Sequence, residues 1–443
     1  MTTLPLITRA LDEIVAFDCG EPVSAARFLG CARALAEQLP QGSKVINLCE
    51  NRQAFATTFA AAIMAGGCNL LPANRLRATV DGLLETFPDA LVVSEVPLAG
   101  FTGAVLDPAP SLSTQTPLDH IPEINAEQLA AVVFTSGSTG RSSRIDKPWR
   151  TLHDSSQINV SQLDPPARSR VVATVPPQHM WGLETSVLMP WFGPVSVASS
   201  HPFFVADICR ELERIDHPRV LVSTPVHLRA LVESGANLPV IERVYSATAP
   251  LSRDLARRIE RATGARVVEI YGCSETGCLA RRRTARVYDW QLFDSFHLDR
   301  QGKEIIARAP HLPEPVALMD HLELRSSRRF RLLGRRSDLV NIAGKRASLA
   351  ELTSILLDIP GVVDGVIFQP PETESGPAGR LAALVVSPGL EAADIRRALS
   401  HRIDAAFMPR PLRIVDRLPR AETGKLPRQS LLHFFDQTCR QAG

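Results

Sequence analysis

Ala131-Val132-Val133-Phe134-Thr135-Ser136-Gly137-Ser138-Thr139-Gly140 is an apolar run that breaks into six consecutive hydroxyl or glycine residues. The run suits a buried strand. Beyond it, glycines let main-chain N–H groups turn toward a ligand, while Thr135, Ser136, Ser138 and Thr139 add hydroxyl donors, the chemistry of a loop that cradles phosphate oxygens. Ser, Thr and Gly are also ordinary turn residues, so the stretch by itself reads equally as a polar surface turn. It is not a Walker loop: Gly424-Lys425 and Gly344-Lys345 are followed by Leu426 and Arg346, where a Ser or Thr is required.

Outward from this stretch the chain has a βαβ rhythm. Residues 44–48 and 69–72 read as strands around an Ala-rich helix over 53–65. Helix 77–86 leads to a strand at 90–93. Strands follow at 171–175, 195–198, 220–222, 240–246 and 267–271, with helices over 204–215 and 251–262. Such alternation implies mainly parallel sheets covered by helices. Residues 284–335 carry short alternating runs and are expected to form a small antiparallel subdomain. After Arg335 the α/β pattern returns, with helices over 349–357 and 391–405 and strands at 362–368, 381–386 and 412–416. The expected fold is therefore α/β. Residues 1–336 are expected to form a large domain of parallel and mixed sheets with the antiparallel subdomain, and residues 337–443 a small α/β domain.

The chain has 443 residues, 45% hydrophobic and 22% charged, which allows two or three domains with sizeable cores. The formal charge is +2, but residues 281–346 hold 15 Lys or Arg against 8 Asp or Glu, a local +7. Cysteines at 19, 31, 49, 68, 209, 273, 278 and 439 form no C-x-x-C pair, as expected of reduced thiols in a cytoplasmic protein. No signal peptide or membrane span is evident, and neither nucleic acid nor a membrane is an expected partner.

Two further segments carry chemistry. In Tyr271-Gly272-Cys273-Ser274-Glu275-Thr276-Gly277, directly after a strand, a carboxylate could hold Mg²⁺ beside phosphates and an exposed aromatic ring could pack on a base; a strand-end turn with a surface Glu is the alternative. In Leu418 to Arg428, a lysine on a proline- and glycine-bounded loop can be aimed at an anion or simply be solvated.

Taken in order, these segments resemble the adenylate-forming superfamily of acyl-CoA synthetases, aryl-acid ligases, luciferases and peptide-synthetase adenylation domains. The resemblance runs from about residue 44 to 430. Phe134 to Gly140 is similar to its phosphate loop. Pro177-Gln178-His179-Met180-Trp181-Gly182 resembles the block whose His or aromatic residue lies near the substrate carboxylate. Tyr271 to Glu275 matches its Y-G-x-[ST]-E. Asp320, fifteen residues before Arg335, has the spacing of the ribose-binding Asp to the hinge block, and Gly424-Lys425 with Arg428 matches the catalytic-lysine block. Ser246 to Pro250 resembles the small-residue strand end along the acyl and adenine pockets.

The resemblance implies roles residue by residue. Thr135, Ser136, Gly137, Ser138, Thr139 and Gly140 would hold the β- and γ-phosphates of ATP. Ser274 would reach the α-phosphate, Tyr271 would lie at the adenine, Glu275 would bind Mg²⁺, and Asp320 would accept the ribose hydroxyls. His179 and Lys425 would act at the reacting carboxylate, Arg335 would open the hinge, and Gly344 would belong to the pantetheine tunnel. The implied reaction joins a carboxylic acid, expected to be aryl or hydroxyaryl as in aryl-polyene pigment pathways, to the phosphopantetheine thiol of an acyl carrier protein or CoA. A fatty acyl-CoA synthetase, a catalytically silent nucleotide-binding member and a luciferase-like oxygenase are the alternatives. With no second large module after residue 443, a stand-alone ligase is expected.

The sequence departs from the family at two places. The usual Pro-Lys after the phosphate loop is replaced by Ser142-Ser143, leaving Arg141, Arg144 or Lys147 as substitute cations. Ser337 stands at the pivot where Asp or Lys is usual.

Overall fold

The computed structural model describes residues 2–114, 116–135, 143–302, 304–335, 338–342, 345–371, 380–420, 424 and 426–440. Its first sheet has six strands. Lys44–Asn47, Cys68–Leu71, Leu91–Val93 and Leu129–Thr135 run parallel, and Ser143–Pro148 turns back antiparallel along Leu129–Thr135. The second sheet has eleven strands. A parallel centre over Ile14–Asp18, Val195–Ala198, Ser169–Ala173, Arg219–Ser223, Arg243–Ser246 and Arg266–Cys273 is flanked by antiparallel strands.

Side-chain alternation along these strands divides the interior. Val45, Ala131, Val133, Val171, Ala173, Val220 and Val222 face one core shared between the two sheets. Their neighbours Ile46 and Val132 face a core under the helix Arg77–Thr86. Val172, Leu221, Val244 and Val267 face one under the helices Val205–Arg214, Pro225–Glu233 and Arg253–Thr263. Strands buried on both faces read as continuous apolar runs, which is why the sequence located them so well.

The helix Arg52–Met64 lies in the shared core and is buried almost all round. Asn51 caps it by accepting from the N–H groups of Gln53 (2.8 Å) and Ala54 (3.1 Å). Its first residue, Arg52, is fully buried and donates to the carbonyls of Ala173 (2.9 Å) and Val175 (3.1 Å) and to the Ser186 hydroxyl. Burial pushes this guanidinium down to about 9. It thereby ties the first sheet's helix to the strand that leads into Pro176–His179.

The expected antiparallel subdomain is smaller than 284–335. Only His297–Gln301, Glu304–Arg308 and Val316–Leu318 form a separate sheet. The runs at 322–324 and 330–333 belong to a hairpin, Asp320–Ser326 with Arg329–Arg335, that hydrogen-bonds through Trp290–Leu292 to the edge of the second sheet. The expected helix at 391–405 is also shorter, Ala392–Ser400.

Residues 340–440 have cores of their own. Strands Asp364–Phe368, Ala382–Val386 and Leu412–Ile414 carry the helices Leu349–Leu357 and Ala392–Ser400 on one face and Arg428–Arg440 on the other. None of the described helices is long and apolar enough to cross a membrane.

Candidate active site

Among the described residues, two hydrogen bonds join parts of the motif segments: Tyr271 to Asp320, and Lys147 of the strand after the glycine loop to Glu275. Tyr271-Gly272-Cys273-Ser274-Glu275-Thr276-Gly277 is the tip of a hairpin in the second sheet, with Cys273 paired to Gly277 across a three-residue turn. Glu275 is exposed at that tip, and Ser274 and Cys273 are half-buried. The Thr276 hydroxyl braces the turn from inside: it donates to the Gly277 carbonyl (2.9 Å) and accepts from the Cys273 N–H (3.4 Å).

Tyr271 differs from the sequence reading. Its ring is not an exposed stacking face. It is 8% exposed and packs on Trp290 (5.6 Å between centroids) and Phe330 (5.7 Å), because the preceding strand is central and its side chains point into the shared core. Its hydroxyl emerges from that cluster and donates to Asp320 Oδ2 at 2.6 Å. A short bond to an ionised acceptor fixes the carboxylate's orientation. Asp320 stands directly opposite Arg335 in the hairpin register, so the fifteen-residue spacing is the two ends of one antiparallel pair. Gly334 precedes Arg335 with φ +111°, and a Cβ there would come within 2.2 Å of the Ser348 hydroxyl, so glycine is required on both counts.

His179 is half-buried and caps the helical segment Met180–Phe192, its carbonyl accepting from the Leu183 N–H at 2.8 Å. Gly182 lets this segment pack on the strand end, because a Cβ would sit 2.0 Å from the Pro176 carbonyl. The middle of the segment, Glu184–Leu188, is a π-turn, a form that concentrates at functional sites. Ser246 to Pro250 ends its strand with Thr248 at φ +77°, a strained position for a β-branched residue.

The loop residues Ser136, Gly137, Ser138, Thr139 and Gly140, and Gly344 and Lys425, fall outside the described residues, as do Arg141 and Ser337. The side chains of Thr135 and Arg335 do too. The flanks are described. Gly424 is buried against the second sheet's side, where a Cβ on it would meet Thr224 Oγ1 at 3.3 Å and Val226 Cγ2 at 3.5 Å. Arg420 donates to the Gly424 carbonyl (2.9 Å) and to both oxygens of Asp364 (2.7 Å each). Thr224 belongs to a buried polar set with His227, Thr174 and Ser223.

Of the substitute cations, Arg144 is committed elsewhere. It pairs with Asp146 (2.7 and 2.9 Å) and lies over the Phe87 ring, on the face of the phosphate hairpin turned away from the second sheet. Lys147 points the other way, is 2% exposed, and donates to the main-chain carbonyl of Glu275 at 2.8 Å. Burial lowers its pKa, opposed by the charge of Glu184. Glu184, 2% exposed, is raised by burial and steadied by Asn159 Nδ2 (3.0 Å) and by the Cys278 N–H and thiol (3.2 Å each). Sequence reasoning did not single out Glu184, Asn159, Arg52 or Arg420. The legible signal was one acid, with Thr185 and Ser186, in a segment Met180–Phe192 whose other residues are apolar or glycine.

The charge of the +7 segment is met in part from outside it: Arg282 meets Glu269, Arg283 meets Glu260 and Lys345 meets Asp404, while Arg331 meets Asp289 within it. A surface concavity of about 280 Å³ lined by His297, Arg308, Pro310, Leu312 and Glu314 contains none of the motif residues.

Residues 25–296 match the family model described as AMP-binding enzyme. The chain belongs to this family. Other AMP-binding enzymes align along most of the chain. A 3,4-dihydroxybenzoate–[aryl-carrier protein] ligase of Bacillus anthracis is 21% identical over 69% of this chain and 74% of its own. A 4-coumarate–CoA ligase of Halorhodospira halophila is 28% identical over 66% and 73%. Among solved structures, the O-succinylbenzoate coenzyme A synthetase of Bacillus subtilis in complex with AMP superposes with a TM-score of 0.78 at 18% identity, over 97% of this chain and 98% of that one. An anthranilate CoA ligase in complex with anthranoyl-AMP gives 0.80 at 17% identity over 99% of both. These likenesses support the α/β fold read from the sequence.

Proposed function

We propose that this AMP-binding enzyme activates an aryl or hydroxyaryl acid as its acyl-adenylate and passes the acyl group to a phosphopantetheine thiol. It is an AMP-forming acid–thiol ligase. The observation that carries the reading is the 2.6 Å hydrogen bond from Tyr271 to Asp320, which joins the Y-G-x-[ST]-E turn to the carboxylate assigned to ribose. The relatives named for dihydroxybenzoate and coumarate favour an aryl acid, and their acceptors, a carrier protein and CoA, are the two thiols to compare. In its narrowest form the proposal is carrier-protein loading in an aryl-polyene-type pathway.

In the first step a carboxylate oxygen of the acid attacks the α-phosphorus of ATP, the bond from that phosphorus to the bridging oxygen breaks, and pyrophosphate leaves. Thr135 to Gly140 hold the outer phosphates, Ser274 the α-phosphate, and Lys425 donates across the carboxylate and α-phosphate as charge moves to the leaving group. His179 orients the acid. In the second step the thiol sulfur attacks the acyl carbon, the acyl–phosphate C–O bond breaks, AMP leaves and the thiol proton passes to solvent. Residues 337–443 act as the mobile domain that exchanges Lys425 for the pantetheine tunnel at Gly344 between the steps. The seat of Gly424 on Thr224 supports reading the described arrangement as the adenylating one.

Mg²⁺ fits this donor set. Among the described residues no three His, Cys, Asp or Glu side chains gather to hold a metal, whereas Mg²⁺ needs only one or two carboxylates beside phosphates and water. Glu275 would hold it, and bound there it offsets charge on the departing pyrophosphate.

The test is ATP–pyrophosphate exchange over a panel of benzoate-, cinnamate- and fatty-type acids, followed by competition between CoA and a carrier protein. Exchange with aryl acids and a loss of about 10² to 10³ in K425A support the proposal. Exchange with fatty acids alone moves the enzyme to the acyl-CoA synthetase alternative. ATP binding without exchange for any acid moves it to the silent one.

A further inference from the structure

The phosphate loop lacks the Pro-Lys expected after it, yet a lysine seven residues past Gly140 is buried at the seam between the two sheets. The hairpin register explains how it gets there. Lys147 pairs with Ala131, on the face shared with Val133 that looks into the common core, whereas Arg144 pairs with Phe134 on the opposite face. An ammonium 2% exposed is costly unless it is paired and hydrogen-bonded. Here the hydrogen bond is present: Lys147 donates to the Glu275 carbonyl at 2.8 Å, and the charge of Glu184, itself held by Asn159 and Cys278, partly opposes the effect of burial. Pinned from behind by Lys147 and braced by Thr276, the three-residue turn leaves the exposed Glu275 side chain as its outward group.

We infer that Lys147 is a positioning residue for Glu275: through the main-chain carbonyl it locks the phosphate hairpin to the turn that carries the metal-binding carboxylate. The role of the missing loop lysine is thus met indirectly, by fixing where the metal is held. This rests on the reading of Glu275 as the Mg²⁺ carboxylate. Asn159 and Cys278 fix Glu184, whose charge favours the buried ammonium.

The experiment is calorimetric titration of the full-length protein with ATP, with and without Mg²⁺, for the wild type, K147M and K147M/E184Q. The double variant removes both buried charges together, so its folding does not depend on an orphaned carboxylate. The factor by which Mg²⁺ tightens ATP binding is expected to fall about fivefold in both variants, the worth of one charged hydrogen bond, with metal-free ATP affinity unchanged. An equal loss of metal-free affinity would mean that Lys147 contacts phosphate directly, and overturns the inference. An unchanged Mg²⁺ factor in the folded double variant leaves Lys147 a packing role only, and also overturns it. A wild type whose ATP binding gains nothing from Mg²⁺ removes the premise about Glu275. Calorimetry needs no acid substrate, so a failed exchange assay refutes the ligase reading without touching this result.

Discussion

Removing the Tyr271 hydroxyl takes a charge-assisted donor from Asp320 while leaving the ring on Trp290 and Phe330. Y271F should therefore raise the KM for ATP about tenfold with a smaller change in kcat, the pattern of lost ground-state binding, read from initial-rate exchange kinetics. A second residue-scale prediction concerns His311, 4% exposed, with neither ring nitrogen hydrogen-bonded and its edge on Phe296. Burial holds it down to about 4, below its ordinary 6.5. Between those values only the unfolded chain takes the proton, so stability is present above pH 6.5 and is lost as pH falls toward 4, at up to ~1.4 kcal/mol per pH unit. Urea melts at pH 7 and pH 5 should show a smaller gap for H311L than for the wild type. Motif order singles out Tyr271, Glu275 and Asp320 in the sequence, and the structure joins Tyr271 to Asp320, but that Tyr271 is buried and that Lys147 turns inward depends on strand register, which no local pattern encodes.

The hairpin Asp320–Arg335 and the following strand pair meet at Gly334 and Ser348. G334A introduces both a Cβ clash with the Ser348 hydroxyl and an L-residue at φ +111°, and is expected to cost ~2 kcal/mol or more in denaturant melts. G334A/S348A removes the clash and should recover only part of that loss; full recovery would show that φ carries no strain. Elements with strong local signals were legible to the residue: Arg77–Thr86, Val195–Ala198 and Leu349–Leu357 have the predicted bounds. Elements defined by pairing partners were not. Asp320–Ser326 looked like part of a small sheet because its alternation is that of any antiparallel strand, and only its neighbour Trp290–Leu292 shows which sheet it joins. The π-turn at Glu184 has no sequence signature at all.

Across the whole molecule, the lysine loop is held by Arg420 between Asp364 of its own sheet and the Gly424 carbonyl, which seats on Thr224. R420A should lower pyrophosphate exchange by about 10- to 100-fold while thioester formation from a supplied acyl-adenylate falls far less, because only the first step uses Lys425. Equal loss of both steps would count against the two-pose reading. Charge distribution is only partly legible at this scale: the local +7 of residues 281–346 is offset in part by Glu260, Glu269 and Asp404, which folding brings onto it from distant sequence. The separate cores of residues 340–440 have a consequence for recombination. A chimera joined between residues 335 and 338 would cut through no hydrophobic cluster among the described residues; the contacts it would change include the bonds of Arg229 to the Leu357 and Val362 carbonyls, the Ser252–Asp358 hydrogen bond, the Gly334 contact and the Gly424 seat. On the proposed two-step reading, such a join exchanges the part assigned to the thiol while the part assigned to the acid is inherited whole.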